Sequence, residues 1–265
     1  MDKAIKQFTG NWAIILGGSS GFGFATVEKL ARHGMNIAVL YREIAAADKV
    51  VTQRFVELAA DNDVTILPFN INALDATARQ IFIADFVSDK KHRVKVLLHS
   101  IARGNLKPLV AENGAPLSID DIQLTTYAMA TSMLDWARDL LNADAFCPDA
   151  RVIGLTSEGS HKYWDGYAAV SVAKASLESL NTYMAVELAP FGLKTNLIQA
   201  GVTDTPSLAR IPGSARLLEG AAQRNPFKRL TKPDDVANVI YLLCTPEAAW
   251  INGSVIHVDG GEHCR

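Results

Sequence analysis

Short apolar runs alternate along the chain with longer stretches whose apolar residues return every three or four positions. The runs Trp12–Leu16, Asn36–Tyr41, Val64–Phe69, Val94–His99, Val152–Thr156, Lys194–Gln199 and Ser254–Val258 have the length and continuity of strands buried on both faces. Helical spacing occupies Thr26–Arg32, Ala45–Ala60, Leu74–Val87, Ile122–Leu141, Ala168–Leu188 and Pro233–Leu243. Alternation of this kind predicts an α/β fold, a doubly wound parallel sheet of about seven strands with helices on both faces. No repeat, low-complexity stretch or linker divides the chain, so residues 1–265 are expected to form one domain. Asn113-Gly114-Ala115-Pro116 and Ile211-Pro212-Gly213-Ser214 read as loops, the second following a strand end, where such sheets bind ligands.

Composition narrows the field. The chain has 265 residues, 49% of them hydrophobic, enough for a large core. A net charge of −2 gives no electrostatic footprint for nucleic acid or an anionic membrane. No run of 18 apolar residues occurs and the first residues lack the apolar core of a signal peptide, so a cytoplasmic protein is expected. Cys147, Cys244 and Cys264 are odd in number and widely spaced, which fits neither a disulfide framework nor a zinc site. No metal is expected.

Two stretches carry candidate chemistry. Leu16 runs into Gly17-Gly18-Ser19-Ser20-Gly21-Phe22-Gly23, followed at once by a helical pattern. Glycines at this G-x-x-x-G-x-G spacing permit a sharp turn and a close backbone approach to a diphosphate at a helix N-terminus. The end of the next strand, Tyr41-Arg42-Glu43, bears on which dinucleotide binds. A carboxylate there suits the ribose hydroxyl of NAD and a cation suits the 2′-phosphate of NADP. With Tyr41 at the acidic position and Arg42 after it, NADPH is expected and NADH is the alternative. Further on, a helix from Tyr167 would place Tyr167 and Lys174 on one face, about 10 Å apart along the axis, with Ser171 between them. A phenol and an ammonium so placed suit proton transfer, the positive charge favouring phenolate.

These motifs, with Ala200-Gly201-Val202-Thr203-Asp204-Thr205 and Val258-Asp259-Gly260-Gly261, resemble in order those of the short-chain dehydrogenase/reductase family, from Trp12 to Gly261. Its members have a Rossmann-type sheet. Ser171 stands where that family usually has its lysine, and the Y-x6-K spacing of Tyr167 and Lys174 is similar to the bacterial enoyl-acyl-carrier-protein reductases. His99-Ser100-Ile101-Ala102 and Lys174-Ala175-Ser176-Leu177-Glu178 resemble the same branch. Ser157, seventeen residues before the lysine, stands where many enoyl reductases carry an aromatic residue and ketone-reducing members carry Ser. With Tyr163 and Gly104-Asn105-Leu106-Lys107-Pro108, it resembles the NADPH-dependent subclass.

The resemblance implies reduction of the carbon–carbon double bond of an enoyl thioester carried by acyl carrier protein or coenzyme A, in a homotetramer. It implies that Tyr167 donates to the thioester oxygen and that Lys174 binds the nicotinamide ribose. Ser157 reads either as a group that polarises a carbonyl or as a strand end, and Tyr163 either as a substrate contact or as an aromatic lid over the core. Ser19, Ser20, Gly21, Phe22 and Gly23 would meet the diphosphate, and Arg42, Asn70 and Ile71 the adenosine. Ser100, Ile101 and Ala102 would line the nicotinamide path, with Gly201, Thr203 and Thr205 at the carboxamide and phosphates. Residues 203–228 would form a substrate lid, whose Leu208, Ile211, Leu217 and Leu218 line an acyl channel or pack down. His99 reads as a hydrogen-bonded structural histidine, and Met133 and Trp136 as packing residues. A ketoacyl or other carbonyl reductase, favoured by Ser157, is the rival, and a non-catalytic dinucleotide-binding scaffold or sensor is the alternative of another class.

Overall fold

The computed structural model describes residues 6–89, 92–211 and 213–265, so residues 1–5 and Pro212 of the expected loop lie outside the described residues. Seven parallel strands form one sheet in the order β3-β2-β1-β4-β5-β6-β7. These are β1 (Asn11–Leu16), β2 (Asn36–Tyr41), β3 (Ile66–Asn70), β4 (Arg93–His99), β5 (Phe146–Thr156), β6 (Leu193–Ala200) and β7 (Val255–Val258). The order reverses between β1 and β4, and a crevice for ligands opens outside the carboxyl ends of strands at such a point.

Alternate residues of each strand feed two cores. Trp12, Ile14 and Leu16 of β1 face α3 (Ala76–Ser88), α5 (Ser132–Asn142) and α6 (Ala168–Glu187) through Phe82, Trp136 and Leu177. Ala13 and Ile15 face the other way, toward α1 (Gly21–Arg32), α2 (Ala45–Asn62) and α8 (Pro233–Cys244) through Val27, Phe55 and Ile240. Burial on both faces is why these strands read as continuous apolar runs.

The expected boundaries hold to within a few residues, with three differences. β3 starts at Ile66, because Asp63 caps α2 in the left-handed region and the Val64 N–H returns to Ala59. β5 reaches back to Phe146 across a register shift between Val94 and Val96 of its neighbour. The long helix expected over 122–141 is three pieces: α4 (Ile119–Thr126), a π-helical turn (Tyr127–Thr131) and α5. Ser118 and Asp121 close a capping box at its start. In the segment after β6 that was expected to form a lid, Ser214–Arg224 forms a further helix, α7.

The amino ends of β4, β5 and β6 are tied by one carboxylate. Asp149 accepts from Lys95 at 2.7 Å, Lys194 at 2.6 Å and the buried Arg151 at 2.5 Å. Opposing its partial burial, these cations hold the Asp149 carboxyl well below the usual carboxylate range. Replacing Asp149 by Asn strands the Arg151 guanidinium, and chemical denaturation at pH 7 is expected to show a loss of about 2 kcal/mol, below the fully buried range because Asp149 itself is half-exposed. The depressed carboxyl makes this contribution complete above about pH 4. It fades as pH falls further, so the difference between the two proteins should shrink in acid.

Candidate active site

The glycine turn is fixed by contacts that no side chain can enter. Gly17 has φ +84° and a Cβ built on it would stand 2.4 Å from the Ser100 carbonyl oxygen. A Cβ on Gly23 would stand 2.2 Å from the Gly17 oxygen. The Gly17 N–H donates to Leu40 and the Ser100 N–H to Leu16, so the turn is stitched to the ends of β2 and β4. Ser20 precedes α1 without a side-chain cap, and the first turn holds no acidic residue. A helix start with open N–H groups and no carboxylate in its first turn suits an anion. Ser19, Ser20, Gly21 and Phe22 lie at that start, and a Cβ on Gly21 would lie 3.5 Å from the Thr205 methyl across from it. The loop after β6 therefore folds over the turn, held by Thr203 Oγ1 donating to the Gly201 oxygen and by Thr205 Oγ1 accepting from the Leu208 N–H.

Tyr167 sits at the N-cap of α6 rather than inside it, with φ −93° and ψ 2°. The turn before it uses Gly166 at φ +68°, and its carbonyl takes the first helical bond from the Ser171 N–H. Its ring is buried between Trp164, at a centroid distance of 4.9 Å, and Gly159, where a Cβ would come within 2.5 Å of the ring. Ala128, Met129, Val170 and Ala173 complete an apolar surround, with Leu106 of the loop after β4 and Ile211 of the segment after β6 packed on it. The phenol donates to Ser157 Oγ at 3.3 Å, and the Gly159 N–H donates to the same oxygen at 3.2 Å. With both lone pairs of its hydroxyl engaged, Ser157 keeps its own proton for a ligand.

Burial raises the Tyr167 phenol above its ordinary value, and the Ser157 hydrogen bond opposes the shift only in part. This corrects the expectation that Lys174 favours phenolate. No hydrogen bond joins the two groups. The Lys174 ammonium is buried and donates to the Leu155 carbonyl at 2.6 Å, two residues before Ser157. Burial pushes Lys174 down to about 8, with Glu178 one helical turn on opposing the shift. Glu178 in turn accepts from Thr156 Oγ1 at 2.5 Å and Ser160 Oγ at 2.9 Å, fixing α6 against the end of β5. Sequence reasoning quoted Glu178 only as part of a matching segment; its position four residues after the lysine was the signal for this role.

The remaining expected site residues differ in what they touch. Tyr163 is 86% exposed and its phenol donates to Asp165 at 2.6 Å, so it does not join Tyr167 and Ser157. Tyr41 is buried, with its hydroxyl on Asp48 and Thr52, and burial first of all pushes its phenol up to about 12. It faces α2 and not the glycine turn. The Asn70 amide is engaged with the backbone of Glu43, and Ile71 packs against the core. Arg42 is exposed with no partner among the described residues. Ser100, Ile101 and Ala102 follow β4 at the turn, as expected from their order. His99 is buried on Ser132 at 2.8 Å and pushed down to about 3 by burial and then by the charge of Lys174, so it is neutral and structural. Leu208 and Leu218 pack down with Val202 and Ala221, and Ile211 packs both against that cluster and against the one that holds Tyr167. One cluster was not foreseen: Arg224, the last residue of α7, donates to Glu158 at 2.9 Å and to Glu262 at 2.6 Å, and Glu262 also receives the Val202 N–H. Its members are scattered through the chain, and no local pattern marks them. Among the described residues no group of three or more His, Cys, Asp or Glu side chains is placed to hold a metal, and no helix is long and apolar enough to cross a membrane.

Known proteins place this geometry in a family. A family model described as Enoyl-(Acyl carrier protein) reductase matches residues 17–263. A cis-4-hydroxycyclohexanecarboxylate dehydrogenase of Sinomonas cyclohexanicum is 26% identical over 97% of this chain and 98% of its own length. The NADH-dependent enoyl-[acyl-carrier-protein] reductase of Enterococcus faecalis is 26% identical over 89% of this chain and 90% of its own. Among solved structures, the NADH-dependent enoyl-[acyl-carrier-protein] reductase of Aquifex aeolicus superposes with a TM-score of 0.82 at 23% identity, covering 97% of this chain and 98% of that one. A glycine-stitched turn at the reversal of a parallel sheet and a buried tyrosine and lysine beside the end of β5 thus accompany a match over nearly the whole chain: the protein belongs to the short-chain dehydrogenase/reductase family and resembles its enoyl-acyl-carrier-protein reductases.

Proposed function

We propose that this protein reduces the carbon–carbon double bond of an enoyl thioester with a reduced nicotinamide dinucleotide. The observation that carries the reading is the Tyr167 phenol, kept protonated by burial in an apolar surround. The open start of α1, the glycine-only approach at Gly17 and Gly23, and the loop of Thr203 and Thr205 fit a dinucleotide diphosphate. Gly17, Ser19, Ser20, Gly21, Phe22 and Gly23 would hold it, Ser100, Ile101 and Ala102 would flank the nicotinamide, and Gly201, Thr203 and Thr205 would close over it. Bound there, the dinucleotide supplies the hydride that adds to the β-carbon of the substrate. As it adds, negative charge develops on the thioester oxygen, and the Tyr167 hydroxyl donates to that oxygen. Lys174 keeps a positive charge beneath the site and has donor capacity beyond its bond to Leu155 for a ribose hydroxyl. The apolar residues around Tyr167 exclude water from the charged transition state.

Carbonyl reduction is the second reading, favoured by one observation: the Ser157 hydroxyl touches the Tyr167 phenol, so both can donate to one carbonyl oxygen. The relative named as a dehydrogenase is consistent with it. The acyl group would arrive on acyl carrier protein or coenzyme A. Exposed Ile119 and Leu124 of α4, with Val172, Tyr183 and Val186 of α6, support a homotetramer built through these helices.

Purified protein is expected to oxidise a reduced nicotinamide dinucleotide with crotonyl thioester and not with acetoacetyl thioester; turnover of the keto substrate alone would establish the second reading. Tyr167→Phe should lower kcat by about 100-fold or more, the cost of losing one donor to an oxyanion. Ser157→Ala should change enoyl turnover by no more than about threefold, because one donor already serves the oxygen.

Binding of the dinucleotide should also depend on pH. Lys174 is charged below about 8 and loses its proton above it, so its charge-assisted hydrogen bond to a ribose hydroxyl is present at pH 7 and weakens as pH rises. Fluorescence titration from pH 7 to 10 is expected to show weakening above about 8, and Lys174→Met should remove that limb of the profile.

A further inference from the structure

Two of the three cysteines point at an oxygen of the protein. Cys244 is buried and donates to the Ile240 carbonyl at 3.0 Å, and burial pushes its thiol up to about 12. Cys147 is half-buried and donates to Asn11 Oδ1 at 3.4 Å, and burial raises its thiol too. Cys264 is exposed and points at a base, with Sγ 3.4 Å from His263 Nε2. The other ring nitrogen of that histidine, Nδ1, lies 2.6 Å from Asp259 Oδ2. Asp259 is buried, and against that burial the His263 and Gly261 N–H groups hold its carboxyl below the usual range. An ionised carboxylate only accepts, so the proton of a neutral His263 sits on Nδ1 and Nε2 turns its lone pair to the thiol. A nucleophile, a base and a carboxylate that orients the base thus stand in line.

The line is held by its surroundings. The Gly261 and His263 N–H groups donate to the two Asp259 carboxylate oxygens, each at 2.9 Å, and the Asp259 carbonyl accepts from Asn225 Nδ2 at 2.7 Å. His257 of β7 stacks on His263 with ring centroids 3.9 Å apart. Glu262, next to His263, is buried and tied to Arg224. His257 and Asp259 also line a cavity of about 230 Å³, whose other walls include Asn225, Arg229 and Thr231. A small polar group joined to Cys264 therefore has a polar recess beside it.

We propose that Cys264 is a reactive thiol, with His263 as its base and Asp259 as a positioning residue, that takes up small polar disulfides as a mixed disulfide. As the Cys264 sulfur attacks one sulfur of the disulfide, His263 Nε2 takes the thiol proton. A new S–S bond forms, the old one breaks, and the departing sulfur leaves as a thiol with that proton. Cys264 is oxidised, the departing half is reduced, and no further reactant is needed. The inference is independent of the reaction proposed for Tyr167.

The test is incubation of the folded protein at pH 7 with oxidised glutathione and, separately, with iodoacetamide, each followed by mass spectrometry of the digested chain. Cys264 is expected to acquire either adduct about ten times faster than the same residue in the urea-unfolded chain, because an unassisted thiol is only a few per cent thiolate at that pH. Cys147 and Cys244 should stay unmodified while the protein is folded. His263→Phe keeps a ring against His257 but carries no base, and should bring the Cys264 rate down to that of the unfolded chain. Asp259→Asn should lower the rate less, and Asp259→Glu should recover part of the loss. Should the Asp259 variants fail to fold, His263→Phe decides alone. A Cys264 rate no higher than in the unfolded chain, or one unmoved in folded His263→Phe, would overturn the assignment. Alkylation without uptake of glutathione would overturn the disulfide chemistry.

Discussion

A carbonyl oxygen at the end of a strand holds an ammonium group out of water, and the geometry of the site follows from that contact. The Lys174 Nζ stands 2.6 Å from the Leu155 oxygen. Burying an ammonium costs several kcal/mol unless hydrogen bonds and a counter-charge offset it. The offsets are local: Leu155 supplies an acceptor, and Glu178, one turn further, supplies the charge. Because Glu178 is itself held by Thr156 and Ser160, two successive turns of α6 are fixed against the end of β5. The register of Tyr167 and Ser157 is then set by chain connectivity, since each lies within a few residues of those anchors. A lysine depressed toward 8 while still bearing a proton at pH 7 is an expense for folding that a ligand-binding site turns to use.

The two ends of the sheet handle charge differently. At the amino ends of β4, β5 and β6 one carboxylate, Asp149, serves Lys95, Arg151 and Lys194. At the carboxyl ends one guanidinium, Arg224, serves the two carboxylates Glu158 and Glu262. The first knot joins neighbouring strands and has a structural meaning only. The second joins four segments: the residue after Ser157, the loop that begins at Gly201, the end of α7 and the chain after β7. It ties the end of α7 to the segments around Tyr167 and Ser157.

Much of the fold was legible because its signals are local. Continuous apolar runs mark strands buried on both faces, and the glycine turn is written in adjacent residues. Gly17 and Gly23 are required by backbone approaches of 2.4 and 2.2 Å, which is why the spacing is readable at all. The π-helical turn in the long helix was not legible, since it changes hydrogen-bond register without changing the apolar pattern. Side-chain direction was the weaker part. Tyr163 lies four residues before Tyr167, yet the segment 158–166 is a short turn and loop, so helical spacing says nothing of where its phenol points. Tyr41 stands where an acidic residue was sought, and its partners Asp48 and Thr52 lie one element later. Such partners are fixed by packing between segments, which no single stretch records.

The proton on Tyr167 is where sequence spacing and structure part most usefully. Seen along a helix, the phenol and ammonium suggest a stabilised phenolate. In the fold the phenol stands at the N-cap, the ammonium turns to Leu155, and burial dominates, raising one group and lowering the other. A phenol held in its neutral form keeps its proton available for a hydrogen bond and yields it outright only reluctantly. Stabilising an enolate oxygen needs only the donor, because the proton that completes the saturated product goes to carbon. Reducing a ketone needs the acid, because an alkoxide must take the proton outright. The electrostatic balance at Tyr167 is therefore consistent with the proposed reaction, in which its hydrogen bond strengthens and its proton stays.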